Sequence, residues 1–461
     1  MASPDISSIA IIGGGLGGLT LSIGLARHGI PHKIYESASA FAEIGAGIAL
    51  APNSITALGL IDPRIEEALR KCITYNQNLD AEGEGEGRDE WAGVRVGSHE
   101  SFNKPITTVR HKESSQPGRA CVHRARFLEE LIKLIPPSTT SFGKCLVSIS
   151  ESPSTGQYTL SFTDGSTATA SAVIACDGIK SIARQHYVLS DIPDQKPCRP
   201  VFTNEFAYRG MFTRDQFLEI SGGAIHPGKG TMFCGPDSYA IMYPVEKGSL
   251  INIVVVKRIS PSEAGSEFAA LRHETNWTQA VTIKTVLSDF EAWGAPIKAL
   301  LSRIQRPERW ALYDHLPAPT YVKDRVALMG DSAHATTPHQ GQGAGMAFED
   351  SLILSGILGA VLKEPVNTRP RSGVQDTEMN SRLKACFRAY DQVRRPRTQE
   401  VTRTSREMGE IISFSGEGIG SDLEKIKANL DARMGWIWDV DLEAEVERGI
   451  EIAREELKGV L

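Results

Sequence analysis

A short apolar run, residues 9–12, opens the ordered pattern of the chain and leads directly into a cluster of glycines. Residues 19–29 then carry apolar side chains at helical spacing and end at a glycine. Residues 31–37, Pro-His-Lys-Ile-Tyr-Glu-Ser, predict a second strand. Together these segments predict a β-α-β unit at the start of the chain.

Further along, residues 127–137 predict a short amphipathic helix that ends at two prolines, and residues 157–178 predict a hairpin that turns at Asp164-Gly165. Residues 197–304 contain several strand-like runs without intervening long helices, which predicts a mostly antiparallel sheet. The α/β pattern returns at residues 324–334. After a polar loop near residue 366, helical periodicity with charge pairs predicts a helical appendage.

The fold class expected from these patterns is α/β with an α+β second domain. The first domain is discontinuous and comprises residues 1–185 and 300–375. An antiparallel-sheet domain occupies residues 186–299, and a C-terminal helical segment occupies residues 376–461. The C-terminal helices would support a homodimer.

Composition excludes several kinds of function. The 461 residues are 41% hydrophobic and 23% charged, as in ordinary globular proteins, and 50 Lys and Arg residues against 56 Asp and Glu residues argue against a nucleic acid partner. The seven cysteines are scattered, and neither they nor the histidines have metal-ligand spacing, so we expect no metal site. Residues 1–8 lack signal-peptide features, and residues 351–362 are too short for a membrane span. We therefore expect a cytoplasmic protein.

The glycine cluster carries the first chemical signal. Gly13, Gly15 and Gly18 form G-x-G-x-x-G between a strand and a helix, where glycines permit a tight turn and close approach of a pyrophosphate. Glu36 closes the second strand, 18 residues beyond Gly18, where a carboxylate accepts hydrogen bonds from adenosine ribose hydroxyls. The pattern predicts a dinucleotide without a 2′-phosphate but does not distinguish NAD from FAD. The alternative is a glycine-rich turn beside an unrelated surface glutamate.

Four further stretches carry a family resemblance: EIGAGIALAPN (43–53), CVHRARFLEEL (121–131), ACDGIKSIAR (175–184) and DRVALMGDSAHATTPHQGQGAGMAFEDS (324–351). In this order they resemble the class A, aromatic-ring FAD-dependent monooxygenases, with salicylate hydroxylase-like enzymes and fungal dearomatising phenol hydroxylases nearest by motif. The resemblance implies a Rossmann-like FAD-binding domain, an antiparallel-sheet substrate domain and a C-terminal helical segment.

The resemblance also implies residues that contact FAD. Asp331 would bind the ribityl hydroxyls, Arg124 would lie beside the flavin, and Asp177 would support the FAD–nicotinamide region. Backbone contacts are implied for Gly47, Ala49, Gly343, Ala344 and Gly345, the last three at a helix start. A buried helix cap is the alternative for Asp331, and a surface ion pair is the alternative for Arg124. Since only one nucleotide motif is present, NAD(P)H would bind transiently.

The reaction implied is hydroxylation of a phenolic substrate by O2 through a flavin C4a-hydroperoxide, with NAD(P)H as electron donor. Dearomatisation in a fungal-type polyketide pathway and salicylate-type decarboxylation both remain open, as does a flavin oxidoreductase that inserts no oxygen. The protein would need no metal and no nucleophile of its own.

Arg209 and Tyr243 match an arginine and a tyrosine that the dearomatising enzymes use to bind the phenolate, so we expect them to be catalytic. A salt bridge to Glu205 is the alternative for Arg209, and core packing is the alternative for Tyr243. Pro338, His339 and Gln340 are expected to contact the substrate, on the loop where salicylate hydroxylase-like enzymes line their cavity. We expect His334 to be structural.

Overall fold

Two large and two small β-sheets organise the residues that the computed structural model describes, namely 8–41, 47–76, 89–111, 118–259, 268, 271, 277–364 and 374–458. The strands are β1 (Ile9–Ile12), β2 (His32–Tyr35), β3 (Gly47–Leu50), β4 (Ile73–Tyr75), β5 (Glu90–Val96), β6 (Pro105–Arg110), β7 (Ala120–His123), β8 (Thr140–Ser141), β9 (Leu146–Glu151), β10 (Tyr158–Phe162), β11 (Thr167–Ala170), β12 (Ala172–Ala175), β13 (Val201–Thr213), β14 (Thr231–Gly235), β15 (Ser238–Val245), β16 (Leu250–Arg258), β17 (Thr278–Ala280), β18 (Glu308–Asp314), β19 (Val322–Lys323) and β20 (Val326–Leu328).

The helices are α1 (Leu16–Arg27), α2 (Pro52–Ile61), α3 (Pro63–Cys72), α4 (Arg124–Ile132), α5 (Arg214–Ser221), α6 (Ile283–Asp289), α7 (Ala295–Leu301), α8 (Asp331–His334), α9 (Gly343–Val361), α10 (Val374–Ile412), α11 (Leu423–Arg433), α12 (Gly435–Trp438) and α13 (Leu442–Lys458). Mixed helix and sheet content of this kind confirms the expected fold class.

The first large sheet contains the N-terminal unit. Its order is β19-β20-β12-β1-β2-β8, and β1 pairs in parallel with both β2 and β12. All four residues of β1 are buried, as a near-continuous apolar run in a parallel sheet requires. The predicted β-α-β unit is therefore present as β1, α1 and β2, and the glycines follow the carboxyl end of β1.

The second large sheet has the order β17-β18-β13-β16-β15-β14-β5-β6 and is antiparallel except for the parallel pair β14 and β5. Side chains of β13, β15 and β16 alternate between its two faces, as the pleat dictates. One set packs into a core that includes α5, α6 and α7, for example Tyr208 and Met242. The other set, which includes Arg209 and Tyr243, faces a large cavity.

The strand pairing bears on the proposed division into domains, which remains a proposal. Strands β5 and β6 lie within residues 1–185 in sequence, yet they pair with β14 in the second large sheet. Strand β18 lies within residues 300–375, yet it pairs with β13. The antiparallel-sheet domain is therefore better drawn to include both segments.

The C-terminal segment is not an appendage, contrary to the expectation from its charge pattern. Helices α10 and α13 both pack against α9. Leu383, Phe387 and Tyr390 of α10 are fully buried in the same core as β1 and α1. Helices α10 and α13 therefore contribute to the core around β1 and α1, whereas the later part of α10 and helices α11 and α12 pack into a second core that includes β5.

Helix α9, Gly343–Val361, contains the apolar run that the sequence predicts to be a buried helix. Among the described residues it is the one helix long and apolar enough to cross a membrane, and 83% of its most apolar window is buried inside the protein. Its neighbours α1, α2, α10 and α13 cover it, as is typical of a core helix.

Candidate active site

One cavity of about 750 Å³ runs from the glycine cluster to the face of the second large sheet. It brings together nearly all of the residues singled out in the sequence. These are Gly13, Gly15, Gly18, Glu36, Gly47, Ala49, Arg124, Asp177, Arg209, Tyr243, Asp331, Pro338, His339, Gln340, Gly343 and Ala344. Gly345 does not line the cavity. A Cβ there would lie 2.3 Å from Ser54 Oγ, so this glycine instead permits close packing of α9 on α2.

The three fingerprint glycines have three different roles. Gly13 has φ +99°, and a Cβ on it would lie 2.4 Å from the Cys176 carbonyl oxygen, so only glycine fits this turn. A Cβ on Gly18 would lie 2.1 Å from the Gly13 carbonyl oxygen, so Gly18 permits the contact of α1 with the turn. A Cβ on Gly15 would meet no atom of the described residues within 4 Å. Gly15 therefore leaves open space at the N-terminus of α1, where a pyrophosphate would bind.

Glu36 lies at the carboxyl end of β2, as its spacing predicts. One carboxylate oxygen accepts a 2.6 Å hydrogen bond from the Gly14 amide, and the other accepts a 2.7 Å bond from the Ala38 amide. Glu36 thus fixes the glycine loop while its side chain lines the cavity. Its contact with a ribose stays a prediction.

Two helix starts face the opposite part of the cavity. Asp331 is exposed as the first residue of α8, directly after Gly330 with φ +62°. Helix α9 begins at Gly343, and its N-cap Gln342 makes no capping hydrogen bond through its side chain. The first amide groups of α9 are therefore available to an acceptor in the cavity, and the helix dipole favours negative charge there.

The two carboxylate oxygens of Asp177 differ in their hydrogen bonding. Oδ2 accepts hydrogen bonds from the Ile182 amide at 2.9 Å and the Ala183 amide at 3.3 Å, whereas the buried Oδ1 has no hydrogen-bond partner among the described residues. Burial raises the pKa of the Asp177 carboxyl above its ordinary value. An unpaired buried acceptor, the open space at Gly15 and the uncapped start of α9 together fit the polar groups of FAD.

A buried ion-pair network holds this part of the cavity in place. Asp350 Oδ2 accepts hydrogen bonds from the Gly330 amide at 2.9 Å and from His334 Nε2 at 2.6 Å. Arg394 of α10 binds Asp350 Oδ1 and Glu349 Oε2, each at 2.7 Å, and all three of these side chains are fully buried. His334, expected to be structural, therefore connects the Gly330 turn to the C-terminal helix.

The second large sheet supplies the other end of the cavity, where Arg209 of β13 and Tyr243 of β15 come together. The Arg209 guanidinium stacks 5.0 Å from the Trp310 ring. Desolvation lowers the pKa of Arg209, the nearby Tyr243 raises it, and Arg124 lowers it further as a like charge. The Tyr243 hydroxyl donates a 2.8 Å hydrogen bond to the Gly47 carbonyl oxygen, and burial raises the pKa of that hydroxyl.

His339 lines the cavity, but both of its ring nitrogens already have partners. Nδ1 lies 2.9 Å from the Tyr239 hydroxyl, and Nε2 lies 3.0 Å from the Glu205 carboxylate. Glu205 also pairs with Arg258 at 3.1 Å. Beside His339, Pro338 is exposed, and the side-chain nitrogen of the buried Gln340 has no hydrogen-bond partner in the described part of the chain.

Sequence reasoning missed three residues that line the same end of the cavity: Trp91, Arg119 and Tyr239. Tyr239 lies four positions before Tyr243 on the same strand, so strand alternation would have found it. Trp91 is the second residue of β5, after a glycine-rich acidic stretch, and Arg119 directly precedes β7. Neither Trp91 nor Arg119 lies in a sequence pattern that predicts a place in the cavity.

Comparison with known proteins fits this geometry. A sequence family described as FAD binding domain matches residues 7–369. A 6-methylsalicylate 1-monooxygenase of Aspergillus terreus is 37% identical over 95% of this chain and 90% of its own length. Salicylate hydroxylase of Pseudomonas putida is 31% identical over 95% and 93%, respectively.

A solved structure described as a salicylate hydroxylase substrate complex superposes with a TM-score of 0.80 at 31% identity, covering 97% of this chain and 98% of the other. Family match, sequence relatives and fold all agree with the cavity and its FAD-compatible groups. The chain belongs to the FAD binding domain family and is a class A FAD-dependent monooxygenase of the salicylate hydroxylase-like branch.

Proposed function

We propose that the enzyme uses NAD(P)H and O2 to hydroxylate a phenolic substrate that Arg209 binds as its phenolate. One observation carries this proposal. Arg209 makes no ion pair with any residue that the structure describes, and Glu205, the alternative partner considered for it, is paired with Arg258 and His339. The guanidinium instead lines the cavity beside apolar side chains such as Ile241 and Val254. A cation in such surroundings stabilises an anion bound there.

FAD fits the remainder of the cavity, and when bound it takes electrons from NAD(P)H and activates O2. The start of α1 would hold its pyrophosphate, Glu36 a ribose, Asp331 the ribityl hydroxyls, and the start of α9 the pyrimidine edge of the flavin. Asp177 and Arg124 complete this set. The residues of the chain therefore bind and orient the reactants, while the cofactor supplies the redox chemistry.

The phenolate matters because ionisation makes the ring carbons ortho and para to the oxygen more nucleophilic. Arg209 favours that ionised form by lowering the pKa of the bound phenol. Tyr243 contributes differently from our expectation of a direct hydrogen-bond donor. Since its hydroxyl proton is donated to the Gly47 carbonyl oxygen, Tyr243 joins β15 to β3 and offers the substrate its ring and an acceptor oxygen.

Two versions of this function differ in the class of product that they form. The names of the two sequence relatives favour a hydroxybenzoate that loses its carboxylate on hydroxylation. The match of Arg209 and Tyr243 to the phenolate-binding pair of the fungal hydroxylases favours dearomatisation of an acyl phenol. We propose the first version. The free cysteines suit a cytoplasmic location, and a homodimer through the C-terminal helices is part of the proposal.

The test is NADH and NADPH oxidation in air by the FAD-loaded enzyme, with salicylate, 6-methylsalicylate and acyl resorcinols, and with 18O2 to trace oxygen into the product. We expect Arg209→Met to keep its flavin spectrum and to lose about 10- to 100-fold in product formation, the value of a charge-assisted hydrogen bond. Arg126→Met, on the exposed surface of α4, is the control. If the rate of NAD(P)H oxidation is the same with and without each phenol, the proposed function is overturned. If Arg209→Met forms product at the wild-type rate, Arg209 has no part in that function.

A further inference from the structure

A second cavity, of about 710 Å³, lies on the other side of β14 from the cavity described above. Met232 of that strand lines the first cavity, whereas its neighbours Thr231 and Phe233 line the second, because successive side chains of a strand point to opposite faces of the sheet. We propose that the second cavity binds the phosphate group of a small molecule. This site is separate from the FAD site, and the inference does not depend on the proposed function.

The charged residues that line the second cavity are mostly cations. Arg95 of β5, Arg214 of α5 and Lys229 line it, and Glu90 is the one acid in the described part of its lining. Glu90 already pairs with Lys229 at 3.3 Å and with Arg110 at 2.8 Å. The lining therefore keeps an excess of positive charge after its own ion pairs are made.

The two arginines have no carboxylate partner within the described part of the chain. Arg95 Nη1 donates to the carbonyl oxygen of Asn103 at 3.1 Å and to its side-chain oxygen at 3.3 Å, and both of these acceptors are neutral. Arg95 and Arg214 are half-buried. Since the walls of a cleft partly exclude water, their charges attract an anion more strongly here than on an open surface.

Two glycines leave room in the second cavity. Gly93 of β5 and Gly223 both line it, and a Cβ on either would meet no atom of the described residues within 4 Å. The cavity volume lies within the range of small-molecule sites, about 300–1,000 Å³. The space is therefore sufficient for a phosphate with an organic group attached.

The remaining polar groups of the second cavity suit an oxygen-rich anion. Further side chains that can donate hydrogen bonds line it: Asn103, Thr108, His226 and Thr231. His226 Nδ1 accepts a 3.0 Å hydrogen bond from the Gly228 amide, so Nε2 carries the ring proton and is a donor. A phosphate group presents several acceptor oxygens and more than one negative charge, and guanidinium groups bind it in a bidentate manner. A monocarboxylate offers only two oxygens and one charge to the same set of donors.

The experiment is calorimetric titration of the oxidised, FAD-loaded enzyme, without NAD(P)H, with inorganic phosphate, pyrophosphate, ADP and adenosine. Bound FAD keeps these ligands out of the pyrophosphate site at the start of α1. We expect saturable binding of pyrophosphate and ADP, and none of adenosine, which lacks the phosphates of ADP. Tighter binding of ADP than of pyrophosphate would identify a nucleotide as the ligand, and equal affinity would identify the free inorganic anion.

Three variants locate the site. Arg95→Met and Arg214→Met should each raise the Kd of pyrophosphate about 10- to 100-fold, the value of a charge-assisted hydrogen bond. Gly93→Val keeps every charge but places a side chain in the open space of the cavity, so it should weaken binding as well. Arg126→Met, which removes a cation from the exposed surface of α4, should bind pyrophosphate as wild type does.

Three outcomes would overturn the phosphate site: no saturable binding at millimolar phosphate, pyrophosphate or ADP, wild-type affinity in all three cavity variants, or equal weakening in Arg126→Met. The second would place the anion elsewhere, and the third would show attraction by net charge alone. Thermal unfolding of each variant identifies a folding defect, and Arg214→Met carries the comparison if the two variants of β5 are unstable. Because the titration uses neither NAD(P)H nor a phenol, failure of the proposed function would leave this result standing.

Discussion

Substitution of Arg394 tests how strongly the C-terminal helix α10 supports the nucleotide site. Its guanidinium binds Glu349 and Asp350, and all three side chains are 0% exposed. Replacement by methionine fills much of the same volume but leaves two buried carboxylates with fewer partners. Removing one member of a buried ion pair costs about 3–5 kcal/mol, because the remaining charge is desolvated and uncompensated. We therefore expect Arg394→Met to lower the free energy of unfolding by about 3–5 kcal/mol.

The pH dependence of this loss follows from Asp350. Burial alone raises the pKa of its carboxyl, but the charges of His334 and Arg394 outweigh burial and lower the pKa from 3.8 to about 2. Such a shift contributes about 2 kcal/mol of stability at neutral pH. Because the folded pKa lies below the unfolded value, this contribution is present above about pH 4 and is lost as the pH falls towards 2. The stability difference between wild type and Arg394→Met should therefore shrink over that acidic range.

The assay is urea unfolding of wild type and Arg394→Met at several pH values, together with the flavin content of each purified protein. Flavin content should fall as well, since Asp350 accepts the hydrogen bond of the Gly330 amide next to Asp331. Arg454→Met removes a surface arginine whose side chain is 48% exposed, and it should cost less than about 1 kcal/mol. A loss below about 1 kcal/mol in Arg394→Met, or a loss that is constant down to pH 2, would refute this reasoning.

Two further predictions concern the cofactor end of the cavity. Glu36→Ala removes the acceptor of the Gly14 and Ala38 amides, and Asp331→Ala removes a carboxylate that lines the cavity. Both variants should therefore have a lower flavin-to-protein absorbance ratio than wild type. An unchanged ratio would contradict these assignments. Gly15→Ala should fold but retain little FAD, because its methyl group enters open space where the pyrophosphate is expected. Gly18→Ala should instead yield little folded protein, because its methyl group meets the Gly13 carbonyl oxygen. Circular dichroism and flavin content separate these two defects, and normal FAD content in Gly15→Ala would contradict the pyrophosphate site.

Local patterns were sufficient for the N-terminal β-α-β unit. A parallel strand, a glycine turn and a helix follow one another directly, so the signal for β1, Gly13 and α1 is contained in a short stretch. Arg209 and Tyr243 were named from their match to two residues of the dearomatising hydroxylases, and both line the cavity. That Tyr243 donates its proton to the Gly47 carbonyl oxygen, 196 residues away in sequence, could not be read from either motif.

Burial caused by residues distant in the sequence was not predictable. The glycine-rich, acidic composition of residues 81–93 favours an exposed insertion, and residues 81–88 of it lie outside the described part of the chain. Glu90–Val96, however, forms β5, and Trp91 is only 6% exposed, with its ring 5.3 Å from the ring of Trp438. Because Trp438 comes much later in the chain, no short window around Trp91 contains the cause of its burial.

The charge pattern led to the same error in α10, where exposure was expected and burial is found. Alternating arginines and acids along a helix are typical of an exposed surface, which is why the C-terminal segment was expected to be an appendage. Arg394 and Arg397 instead turn inward and bind Glu349, which lies beside Asp350 on the buried helix α9. A sequence shows that a residue is charged but not whether its partner is water or another buried charge. The same distinction separates Arg394 from Arg119: both are buried arginines, but only Arg394 has carboxylate partners within the described chain.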